Sequence, residues 1–140
     1  MKRCESQFQY KDYIKKLDIA FMEGEGTIIP EPTWEQLENA LAGFDTNKVG
    51  RVTISNPKES ISMVIHGQQG LYHIGICEKE STFHYYWNGI EATGETVDIA
   101  WNIFDEHQIC HDYETLLRIA EYFYETGKRC EDVKWESEQL

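Results

Sequence analysis

Between Val49 and Phe104 the apolar residues recur at every second position, and that period leaves few architectures open. The segments Val49–Ser55, Ser60–His66, Leu71–Cys77, Thr82–Trp87 and Val97–Ile103 are short, β-branched or aromatic, and separated by turn residues, so each reads as a strand. Gly67-Gln68-Gln69-Gly70 and Asn88-Gly89 offer the positive φ angles of tight connections, and Glu78 to Ser81 makes a polar tip. Hairpins fit such short connections better than crossovers, and the expectation is an antiparallel meander. Within Val97–Ile103 the alternation groups Trp101 with the apolar set and turns Asp98, Ala100 and Asn102 outward. In Phe83-His84-Tyr85-Tyr86-Trp87 both faces are apolar. Either His84 and Tyr86 are partly exposed, or the strand is covered on both sides.

Two helices flank the meander. Thr33 and Gln36 have the spacing of a capping box, and Trp34, Leu37, Leu41 and Phe44 fall on one face before Gly43–Asn47 ends the helix. In the second, Tyr113, Leu116, Leu117, Ala120, Phe123 and Tyr124 share a face, and Glu114, Arg118, Glu121 and Glu125 take the other. Asp112 is its natural N-cap and Gly127 its C-terminal stop. Leu17, Ile19 and Phe21 alternate as a first strand, while Val133 and Trp135 alternate with Lys134 and Glu136 as a last one. The predicted fold is α+β: a curved antiparallel sheet of about five to seven strands with two main helices on one face. Residues 1–12 read as a polar arm and residues 13–140 as one domain.

No apolar run approaches the roughly 20 residues of a membrane span, and the N-terminus lacks a signal-peptide core, so a cytoplasmic protein is expected. Cys4, Cys77, Cys110 and Cys130 are widely spaced without a C-x-x-C pair and read as free thiols. The net charge is −12, unevenly spread. Residues 1–70 carry 10 Asp/Glu against 8 Lys/Arg, whereas residues 71–140 carry 15 against 5. Such a surface repels nucleic acid and anionic lipid and raises the encounter rate of a basic partner. The same charge also serves solubility.

Sites for chemistry are sparse. His107 and His111 bracket Cys110, but helical alignment is needed to converge them, and the segment before Asp112 reads as a loop, so no metal or other cofactor is expected. Cys77 and His84 could face one another across a hairpin, yet a half-buried Cys beside a His is usually packing. There is no nucleophile elbow, phosphate-binding glycine loop or basic, aromatic nucleic-acid patch. A non-enzymatic protein is the expectation.

The window Glu78–Glu106 is distinctive instead. Glu78, Glu80, Glu91, Glu95, Asp98, Asp105 and Glu106 accompany a single Lys79 and are interspersed with Phe83, Tyr85, Tyr86, Trp87 and Trp101. Aromatic side chains anchor interfaces, and a carboxylate ring steers and pairs a cationic partner. Glu78, Glu80, Tyr86, Glu91, Glu95, Asp98, Asp105 and Glu106 are the candidate contact residues.

The helix Tyr113–Thr126, the run Thr126-Gly127-Lys128-Arg129 and the closing Val133-Lys134-Trp135 resemble the end of the first-numbered immunity-protein family of bacterial polymorphic toxin and contact-dependent growth inhibition systems. The Trp34-Glu35-Gln36-Leu37 helix, the meander and the Gly94-Glu95 strand entry extend the likeness over roughly residues 14–136. Cys130 stands where that family's pattern would have proline. The resemblance implies a cytoplasmic antitoxin without enzymatic activity that covers the active-site cleft of a cognate toxin C-terminal domain, often a nuclease or nucleic-acid deaminase. A basic cleft of that kind would complement the acidic half of this chain. The alternative is an acidic, non-catalytic adaptor subunit of another cytosolic complex.

Overall fold

The computed structural model describes residues 13–139, so the polar arm at 1–12 lies outside the described residues. The elements in order are β1 (Lys16–Phe21), β2 (Thr27–Pro30), α1 (Trp34–Ala42), β3 (Val49–Asn56), β4 (Ile61–Gln68) and β5 (Leu71–Glu78). They continue with β6 (Thr82–Trp87), β7 (Thr96–Ile99), β8 (Asn102–Asp105), β9 (Ile109–Cys110), α2 (Tyr113–Thr126) and β10 (Lys134–Gln139). Among the described residues, eight strands form one antiparallel sheet in the order β10-β6-β5-β4-β3-β1-β2, with β9 added to β5 beside the end that β6 leaves free. The α+β fold is as the sequence predicts. β2 and β9, too short to carry a period, bring the strand number above the expected range.

One face of this sheet is the core. Leu17, Val52, Ile54, Met63, Ile65, Ile74 and Ile76 are fully or almost fully buried and pack with Leu37 and Leu41 of α1 and Leu116, Ile119 and Phe123 of α2. The alternation of the strands and the helical spacing thus converge on one cluster, as burial of apolar area requires. Both helix starts are capped as their residues suggest. Thr33 accepts the Gln36 N–H at 3.1 Å while Gln36 accepts the Thr33 N–H at 2.9 Å, and Asp112 accepts the Thr115 N–H at 3.2 Å. Gly127 closes α2 at φ +71° and donates to the Phe123 carbonyl at 2.7 Å. Glu125, on the polar face by spacing, is instead only 5% exposed.

The sequence-based strand Val97–Ile103 does not exist as one element. It is the hairpin β7–β8, a separate two-stranded sheet turning at Ala100-Trp101. Asn88-Gly89 likewise opens a long loop rather than a hairpin, because β6 pairs with β5 and β10 and not with β7. Asn88 pins that loop: its N–H donates to the His107 carbonyl at 2.9 Å and its amide nitrogen to the Glu106 and Ile109 carbonyls.

Candidate partner-binding surface

Residues paired across a hairpin share a face, so the pairs Val97–Phe104 and Ile99–Asn102 point one way and Thr96–Asp105 and Asp98–Ile103 the other. Ile99 is fully buried and forms a small second core with Ala100 and Ile109. Phe104 lies flat on His73 with ring centroids 4.0 Å apart and tilts against His66 at 4.9 Å. Asp98, Ile103 and Asp105 are exposed. The two turn residues both have positive φ, +50° at Ala100 and +67° at Trp101, which is the geometry of a type I′ turn. Ala100 is held there by its N–H to Gln68 Oε1 at 2.9 Å, and its carbonyl accepts the Asn102 amide at the same distance. Trp101 is 75% exposed and Ile103 63% exposed, whereas Ala100 is only 7% exposed. The sequence reading of Trp101 as core and Ala100 as outward is therefore reversed. A two-residue turn inside the run inverts the parity of everything after it.

Five of the eight candidate residues collect around this hairpin. Glu95 and Asp105 stand at its base, where the Glu106 N–H donates to the Glu95 carbonyl at 3.0 Å. Asp98 lies on the outward face, Glu91 is exposed in the loop pinned by Asn88, and Glu106 sits 3.4 Å from the exposed His111. The other three are elsewhere. Glu78 and Glu80 lie at the far end of β5, about 23 Å along the strand from Leu71 at the hairpin end, and Glu78 is 2.6 Å from His84 Nε2. Tyr86 faces the helices: it packs on the core, and burial together with neighbouring Cys110 and Asp112 pushes its hydroxyl up to about 12. Its ring is partly buried on the packed side of the sheet, away from the hairpin carboxylates. His84 is likewise buried, 6% exposed, and bonded to Ser137 Oγ at 2.6 Å. The acidic window is thus divided between the two ends of the sheet.

The sheet's second face bears Phe83 and Tyr85, whose rings stack in parallel at 6.4 Å. With Val64, His66, His73, Cys77 and Phe104 they line an apolar depression of about 230 Å³. Cys77 pairs with Phe83 and His84 with Ile76, so Cys77 and His84 project from opposite faces and cannot act as nucleophile and base. His107 is buried and 2.8 Å from Glu136, which also accepts the Gln108 amide at 2.9 Å. These bonds, the Gln108 one foremost, hold the Glu136 carboxyl below its ordinary range. The Gln108 oxygen in turn meets His73 Nε2 at 2.9 Å, so the proton of neutral His73 sits on that nitrogen. His107 and His111 therefore serve different partners, and among the described residues no three His, Cys, Asp or Glu side chains gather as metal ligands. Among the described residues no helix is long and apolar enough to cross a membrane.

No protein-family model and no curated protein matches the chain. Its fold is shared. A crystal structure of a hypothetical protein from Neisseria gonorrhoeae superimposes with a TM-score of 0.59 over 84% of this chain and 91% of the other, at 15% sequence identity. At that identity the likeness speaks to architecture alone.

Proposed function

We propose that this chain is an immunity protein, a non-enzymatic binder that neutralises a cognate toxin domain by laying the β7–β8 end of its sheet over the toxin's basic active-site cleft. The observation that carries the reading is the outward surface of the hairpin, where exposed Trp101 and Ile103 stand among the carboxylates of Glu95, Asp98 and Asp105. An aromatic centre with a charged border is the composition of an interface, the apolar part supplying affinity and the charges supplying encounter rate and register. The C-terminal resemblance at Tyr113–Trp135 supports the same class, and the excess of carboxylates in residues 71–140 suits a partner shaped to hold nucleic acid, a nuclease or a deaminase.

The test is co-expression with the C-terminal domain of any large secreted protein encoded by a neighbouring gene, taken as the toxin domain. A rescued culture and a stoichiometric complex on size exclusion are the expected results. A lethal toxin that passes the column separately would contradict the reading, and binding without inhibition would return the chain to the adaptor class.

A further inference from the structure

Resting on that reading, we propose that Trp101 is the anchor of the complex, a preformed indole that enters an apolar slot bordered by Lys and Arg side chains on the toxin domain. The backbone supplies the first reason. Both central positions of a type I′ turn demand positive φ, which glycine and asparagine adopt readily and which costs a residue with a Cβ about 1–2 kcal/mol. Here those positions hold Ala100 and Trp101. Trp101 stays 75% exposed at the strained tip, and the inward side of the hairpin is filled by Val97, Ile99 and Phe104. The turn at Lys79-Glu80 shares this backbone but carries polar side chains; a large, exposed apolar ring on such a strained tip is what marks this one for function.

Rigidity is the second reason. The Ala100 N–H bond to Gln68, the Asn102 bond across the turn and the Phe104–His73 stack fix the tip before any partner arrives, so little conformational freedom remains to be lost on binding. The surface beside the indole is also shaped for contact. Phe21, itself 39% exposed, joins Trp101, Met22, Lys48 and Gln68 around a depression of about 580 Å³.

Charge selects the occupant. Asp98 and Asp105 flank the outward face, and the chain as a whole carries −12, so a second copy docked tip to tip would set like charges opposite one another. A cationic partner meets no such penalty. In this arrangement the carboxylates act on approach and the indole on residence, because truncating a desolvated aromatic anchor raises the dissociation rate while border charges alter association.

The decisive variant is Trp101→Gly, which removes the indole and relieves the positive-φ strain at that position while leaving buried Ala100 in place. It should melt a few degrees higher than the parent. Against the neighbouring toxin domain its dissociation rate should rise at least ~30-fold, with association changed less than about threefold. Trp101→Phe should keep most of the affinity. An unchanged dissociation rate, a lower melting temperature, or a parent dimer that disappears with the indole would each overturn the proposal. If the parent itself forms no complex, the immunity reading fails with it, so the two failures are distinguishable.

Discussion

At Gly67 the fold leaves no space for a methyl group: a Cβ there would stand 2.5 Å from the Phe44 ring, which fills the sheet end beneath α1. Gly67→Ala should destabilise the protein by roughly 1–3 kcal/mol, read as a lower urea midpoint at unchanged slope. One position away on the other face, His66 presents a titration. Burial first, then the charges of His73 and Arg51, lower its pKa from 6.5 to about 4, and burial also lowers that of His73 against the opposing pull of Gln108 and Asp105. The unfolded chain therefore takes up protons near pH 6.5 that the folded state refuses until about pH 4. Stability contributed by His66 is complete above pH 6.5 and falls as the pH drops toward 4. His66→Phe, which keeps a ring beneath Phe104, should flatten that part of the urea-midpoint profile. A slope equal to the parent's would remove His66 as its source.

Among the elements, β10 shows what a short period can and cannot reveal. Val133-Lys134-Trp135 announced a strand, and the structure extends it through Gln139 along β6, with Trp135 half-buried on the core and its indole donating to the Cys130 carbonyl at 2.9 Å. Because the ring is half-buried, Trp135→Ala should cost about 2 kcal/mol, below the 3–5 of a fully buried Trp, and should raise hydrogen exchange in β6 and β10 before the rest of the sheet. An unshifted melting point would mean the strand does not dock. The helices and β3–β6 were legible because each marks itself twice, by periodicity and by caps or turns. The hairpin β7–β8 was not. Val97-Asp98-Ile99 and Asn102-Ile103-Phe104 mirror one another about Ala100-Trp101, but without a glycine or asparagine at the tip nothing local announced the turn. Hence the proposed contact face is only partly legible: Glu91, Glu95, Asp98, Asp105 and Glu106 lie around the hairpin, Glu78, Glu80 and Tyr86 lie elsewhere, and the period groups the exposed Trp101 with the core. β2 escaped for a similar reason, since Pro30 and Pro32 read as a lead into α1 while Thr27–Pro30 pairs with β1.

The hairpin end carries Glu91, Glu95, Asp98 and Asp105 exposed, and at the opposite end of the sheet Glu78 and Glu131 line a cleft of about 470 Å³ together with Lys128, Arg129 and Trp135. In the proposed complex a basic partner is drawn to the hairpin carboxylates, an attraction screened beyond about 8–10 Å at physiological salt. The claim is tested most directly by stopped-flow association with the neighbouring toxin domain between low and physiological ionic strength. Glu95→Lys/Asp98→Lys should associate at least about tenfold more slowly than the parent at low salt, with a visibly shallower salt dependence and a similar dissociation rate. Association rates and salt slopes that coincide with the parent's would contradict a toxin-facing hairpin.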